Sequence, residues 1–118
     1  MQHGAGFVAL CEAARKEVTE VSVEQAATAD GVIVDVREDH EWQQGFVKGA
    51  VHMGRGIIER DIEKRFPDKQ QALYLYCGGG YRSALSAVNL QLMGYSQVYS
   101  IAGGYKAWVK AGLPCEQA

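Results

Sequence analysis

The stretch ALYLYCGGGYRSALSA, residues 72–87, sets an apolar run against three consecutive glycines, with a cysteine at the join. Ala72–Tyr76 has the length and the apolar, aromatic content of a strand buried on both faces. Ser83–Met93 reads as a helix carrying Leu85, Val88, Leu92 and Met93 on one side, and Gly94 suits its C-terminal cap. Cys77 therefore ends a strand and Arg82 opens a helix. Glycine weakens both kinds of element, so Gly78, Gly79 and Gly80 imply a need for bare backbone at this point. Without Cβ atoms the loop N–H groups can turn inward around one small volume, and the helix start adds partial positive charge. A thiolate at the mouth of such a nest is stabilised. Arg82 adds a permanent charge able to hold an anionic substrate. The pattern is that of an activated sulfur nucleophile in a cradle of the oxyanion-hole kind.

Outward from this loop, strand and helix patterns alternate. Phe7, Val8, Leu10, Cys11 and Ala14 fall at helical spacing within residues 6–17. Ser22 and Gln25 form a capping box that opens a short helix through Ala29. GVIVDVRE, residues 31–38, is a β-branched strand, followed by a helical patch at Glu38–Gln44 and a short strand at Ala50–Met53. IIERDIEKRF, residues 57–66, reads as a helix stopped near Pro67. SQVYSIA, residues 96–102, is another strand, Gly103-Gly104 a turn, and YKAWVKAG a last helix, in which Tyr105 and Trp108 pack onto the sheet. Such alternation predicts an α/β domain, a parallel sheet with helices on both faces. Function in these sheets gathers beyond the carboxyl ends of the strands, where Cys77, Asp35, Val36 and Arg37 all fall.

The chain has 118 residues, enough for one domain with a real core, and 47% are apolar against 22% charged. A net charge of −2 with interspersed signs points away from nucleic acid. No run reaches the length of a membrane span. The N-terminal stretch lacks a basic lead-in and reads as a poor secretory signal. Cys11, Cys77 and Cys115 are three widely spaced cysteines, which argues against a disulfide framework and a zinc site and for a reducing, cytoplasmic setting. Cys11 sits on the apolar face of its helix and reads as core. Cys115, near a frayed C-terminus, reads as an exposed thiol. His3, His40 and His52 show no ligand spacing.

Three segments together, VDVREDHEWQQGFVKGAVHM (34–53), LYLYCGGGYRSALSAVNLQLMGY (73–95) and IAGGYKAWVKAGLP (101–114), resemble a single-domain rhodanese-like sulfurtransferase. The resemblance runs from about Val21 to Pro114. It makes residues 1–118 one rhodanese domain, with 1–18 a helical extension and 19–114 the core. It implies a rhodanese fold, a five-stranded parallel sheet flanked by helices, with Cys77 catalytic. Cys77 would take a sulfane sulfur from a small anionic donor such as thiosulfate and pass it as a persulfide to cyanide, a thiol or a protein acceptor. Gly78, Gly79, Gly80, Tyr81 and Arg82 would hold the persulfide, and no metal or organic cofactor is implied. Asp35 and Arg37 match the family's DVR and are expected to brace the rim, with Glu41 and Trp42 packing and pairing beside them. Arg55 stands at the same end of the sheet, as a ligand of an anionic donor or a solvated arginine. Phe46 and Val47 replace the histidine and isoleucine usual in the family, and the Tyr81 ring is expected to narrow the pocket mouth.

Two other functions use related parts. A cysteine-based phosphatase or arsenate reductase on the same fold also needs a cysteine, a loop of amides and an arginine. Its signature carries one residue more between cysteine and arginine than the four present here, Gly78–Tyr81. A non-catalytic rhodanese-like module commonly lacks the cysteine, which this chain has.

Overall fold

Leu73, Leu75 and Cys77 face one side of the central strand, and Tyr74 and Tyr76 face the other, as the two-residue period of a strand requires. This strand, β5 (Leu73–Tyr76), lies in the middle of a five-stranded parallel sheet in a computed structural model that describes residues 3–118. The other strands are β1 (Thr19–Val21), β2 (Val32–Asp35), β4 (Val51–His52) and β6 (Val98–Ile101), in the order β1-β6-β5-β2-β4. The five-stranded parallel sheet with helices on both faces matches the predicted class. On one face pack α1 (Ala5–Glu17), α4 (Ile58–Arg65) and α5 (Tyr81–Leu92), burying Val34, Ile58, Ile62, Leu90 and Val98. On the other lie α2 (Val23–Thr28) and α6 (Gly104–Lys110), with Val23, Ala26, Ile101 and Trp108 in the second cluster. The Ser22–Gln25 capping box is present.

Strand order explains why the site forms where it does. From β5 the chain moves through α5 to β6 on one side, while from β2 it moves to β4 on the other. The carboxyl ends of β2 and β5 therefore flank the point at which the winding reverses, and a crevice opens there.

The two strand ends are tied below the crevice by a buried network. Asp35 is fully buried and accepts from the Arg37 backbone N–H at 2.8 Å and from Arg37 Nη2 at 2.7 Å. Tyr76 on β5 donates its hydroxyl to Asp35 and accepts from the Val47 N–H at 3.1 Å. Arg37 also donates to the Gly45 carbonyl at 2.8 Å and lies over the Tyr105 ring. A buried carboxylate is tolerable only when paired and hydrogen-bonded in this way. Burial first, then Asp35, pushes the Tyr76 phenol well up and keeps it protonated.

Two expectations fail. Leu92 is 81% exposed, because α5 turns its small residues Ala84 and Ala87, with Leu90, toward the sheet and leaves Leu92 on the far side. The C-terminus is not frayed. Cys115–Glu116 forms β7, antiparallel to β3 (Phe46–Val47), and the Glu116 carboxylate accepts from the Gly49 N–H at 2.9 Å. The departure Phe46 is accommodated by α3 (Asp39–Trp42): Trp42 stacks on Phe46 at 3.7 Å and on His52 at 4.8 Å.

Tyr76→Phe should lower stability by about 1–3 kcal/mol, because it removes a donor to Asp35 and strands the buried Val47 N–H. Equilibrium denaturation would show this as a shifted midpoint, and an unchanged midpoint would remove the network from the account.

Candidate active site

Cys77 follows directly from β5, and its Sγ accepts a hydrogen bond from the Gly80 N–H at 3.1 Å. Gly80 makes this return possible with a left-handed φ of 102°, which disfavours any residue with a side chain. Beneath the sulfur lies a buried hydroxyl pair, Ser83 Oγ 2.8 Å from Ser100 Oγ, with Ser83 Oγ 3.7 Å from Sγ. Both serines are fully buried, one on α5 and one on β6.

The loop is held from outside by the next strand–helix turn. The Tyr105 N–H donates to the Cys77 carbonyl at 2.7 Å and the Lys106 N–H to the Gly78 carbonyl at 3.1 Å. A trans peptide points its N–H opposite to its C=O, so the Gly78 and Gly79 N–H groups face away from α6. Neither has a protein acceptor among the described residues. Gly104 makes the contact possible: a Cβ there would run into the Cys77 carbonyl oxygen and lie 2.9 Å from the Gly78 carbonyl carbon. Its φ of 56° is also left-handed.

Above Cys77 opens a cavity of about 630 Å³. Its walls include Gly78, Gly79, Tyr81, Arg82, Glu41 and Lys106, closed on one side by His3, Phe7 and Val8 from the N-terminal segment. The rings of His3, Phe7 and Tyr81 lie within 5.2–6.1 Å of one another and form an aromatic edge. Arg82 does not project freely. It grips Glu41 through two hydrogen bonds of 2.7 and 3.0 Å, and this pairing lowers the Glu41 carboxyl to about 2. The Arg82 guanidinium also covers Gly78, where a Cβ would lie 3.1 Å from Nη2.

The predicted residues divide by location. Cys77, Gly78, Gly79, Tyr81 and Arg82 line the cavity, while Gly80 lies beneath it with its amide on the sulfur. Asp35 and Arg37 lie buried below and do not line it. Arg55 is exposed and lines a different hollow of about 380 Å³ between α1 and α5. Cys11 is fully buried, and burial pushes its thiol up, while Cys115 is exposed. Sequence reasoning missed Lys106, Gly104, Ser83, Ser100, His3 and Phe7. The second glycine pair and the serines inside apolar runs were the available signals; nothing local marked His3 or Phe7. No cluster of three or more His, Cys, Asp or Glu among the described residues is placed to hold a metal.

Residues 18–111 match the rhodanese-like domain. The chain belongs to the rhodanese-like domain family. It is 33% identical over 89 residues to the thiosulfate sulfurtransferase GlpE of Coxiella burnetii, covering 75% of this chain and 80% of that protein. The polysulfide-sulfur transferase homodimer of Wolinella succinogenes superposes with a TM-score of 0.81 at 28% identity, over 97% of this chain and 89% of that one. A Rhodopseudomonas palustris protein of unknown function, called a possible tyrosine phosphatase, gives 0.83 at 31% identity, over 98% of each chain. Rhodanese-type sulfurtransferases are thus among its relatives.

Gly104→Ala should displace the Cys77 loop and lower stability by roughly 1–3 kcal/mol, whereas Gly79→Ala, with open space at its Cβ, should stay within about 0.5 kcal/mol. Thermal melts of the pair would show it, and equal effects would refute the close approach. The Glu41 carboxyl is lowered on folding, so its contribution is complete above its ordinary 4.5 and lost as pH falls through about 2. Denaturation between pH 5 and 2 should show wild type losing on the order of 2 kcal/mol more than Glu41→Gln; parallel curves would mean that Arg82 does not hold Glu41.

Proposed function

We propose that the protein is a sulfurtransferase that carries a sulfane sulfur on Cys77. The observation that supports this most is the Cys77 sulfur at the floor of a cavity, with the Gly80 N–H on Sγ and the Gly78 and Gly79 N–H groups beside it without an acceptor among the described residues. In this reading the Cys77 thiolate attacks the outer sulfur of thiosulfate. The new S–S bond forms as the old one breaks, and sulfite leaves with the electron pair. A nucleophilic acceptor, cyanide or a thiol of a small molecule or protein, then attacks the outer sulfur of the persulfide and releases the Cys77 thiolate. The loop amides stabilise negative charge on sulfur in both steps. No general base is needed once Cys77 is ionised, so Asp35 takes no part in the chemistry and holds the crevice floor through Arg37 and Tyr76. Neither step calls for a cofactor. Three free thiols suit a reducing compartment such as the cytoplasm. No helix among the described residues is long and apolar enough to cross a membrane.

The likeness to the protein called a possible tyrosine phosphatase favours one second reading, phosphoryl transfer by the same cysteine. The four residues between Cys77 and Arg82 weigh against it. A phosphoryl group must fit its equatorial oxygens within the ring of amides, whereas a persulfide presents one terminal atom.

Treatment with thiosulfate should raise the intact mass by one sulfur, about 32 Da, and cyanide should remove it. Cys77→Ser should abolish both effects while Cys11→Ser and Cys115→Ser keep them. Hydrolysis of aryl phosphates should be negligible. Robust phosphatase turnover that depends on Cys77, with no sulfur uptake, would replace the proposal with the second reading.

A further inference from the structure

An anionic donor needs a cation in the cavity, and the arginine of the loop is already committed. Arg82 and Glu41 face each other as a two-pronged pair, both part-buried at the cavity wall. Glu41 is ionised throughout the neutral range, so an anion approaching Arg82 meets the Glu41 charge at the same distance scale. The pair is close to neutral toward a ligand, and its grip fixes the guanidinium over Gly78.

Lys106 is placed differently. Its backbone N–H donates to the Gly78 carbonyl, which roots the residue one hydrogen bond from the loop. Lys106 lines the same cavity as Cys77, and among the described residues its side chain forms no ion pair or hydrogen bond. It is exposed, so its ammonium stands in water. Among the described residues, Lys106 and Arg82 are the only lysine or arginine lining that cavity.

We infer that Lys106 is the binding residue for the anionic end of the sulfur donor, and that Arg82 acts as a positioning residue held by Glu41. The inference deepens the sulfurtransferase reading and rests on it for the identity of the donor. Lys106 meets the oxyanion end of a thiosulfate-like donor, leaving the outer sulfur free to approach Cys77.

Two arms on the 118-residue chain separate the failure of this inference from the failure of the sulfurtransferase reading. In the first, sulfate, an inert dianion, should slow alkylation of Cys77 by iodoacetamide. Lys106→Gln should lose that protection and Lys106→Arg should restore it. In the second, steady-state turnover of thiosulfate with cyanide should show KM raised roughly five- to tenfold in Lys106→Gln with little change in kcat. The rise of wild-type KM with salt should flatten in that variant, and Lys106→Arg should recover both. If the protein turns over thiosulfate but Lys106→Gln leaves KM, its salt dependence and sulfate protection unchanged, the inference is overturned and the sulfurtransferase reading stands. If sulfate protection depends on Lys106 but no sulfur is transferred, the anion anchor stands and the reading of the donor falls.

Discussion

The hydrogen bonds from the Tyr105 and Lys106 N–H groups to the Cys77 and Gly78 carbonyls are the contacts on which the site depends. A loop of three glycines has too much conformational freedom to hold a cradle by itself. Turning two of its carbonyls outward onto α6 fixes the peptide planes and so the direction of the amides. That contact requires Gly104 to approach within the space of a missing side chain. It also requires β5 and β6 to be neighbours in the sheet, so that their strand–helix turns lie side by side. Sheet order, a glycine pair and the orientation of the active loop are one constraint seen at three scales.

Two ion pairs frame the crevice with opposite consequences. Arg37–Asp35 is buried beneath it and joined by Tyr76 to β5. Buried pairs of this kind contribute little net stability but are costly to break, and here the pair fixes where the ends of β2 and β5 lie relative to each other. Arg82–Glu41 is part-exposed at the wall and crosses the same crevice from α3 to α5. It holds the guanidinium above Gly78 at the expense of its availability to a ligand. The N-terminal helix α1 adds a third component by packing on α5, with its Phe7 and the preceding His3 against Tyr81.

What could be read from the sequence was what is encoded locally. The apolar runs of β2, β5 and β6, the Ser22–Gln25 box and the Cys77–Arg82 loop each carry their signal within a few residues. The strands β3 and β7 did not, because two-residue pairings between distant segments have no periodicity to detect. The loop charge of Arg82 was legible but its partner was not, since Glu41 reaches it across 41 positions of sequence. Gly104 read only as half of a turn, because the atoms that exclude a side chain there belong to Cys77 and Gly78. Arg55 was put near the site by its position after a strand, but the chain turns it toward α1 and α5.

A crystal structure of the protein after thiosulfate treatment tests the central claim most directly. The account predicts one extra atom bonded to Cys77 Sγ, within hydrogen-bond distance of the amides of the Gly78–Gly80 loop, with Tyr105 and Lys106 still on the Cys77 and Gly78 carbonyls. A tetrahedral anion resting in the loop above an unmodified sulfur, or sulfur added to Cys11 or Cys115 instead, would contradict it.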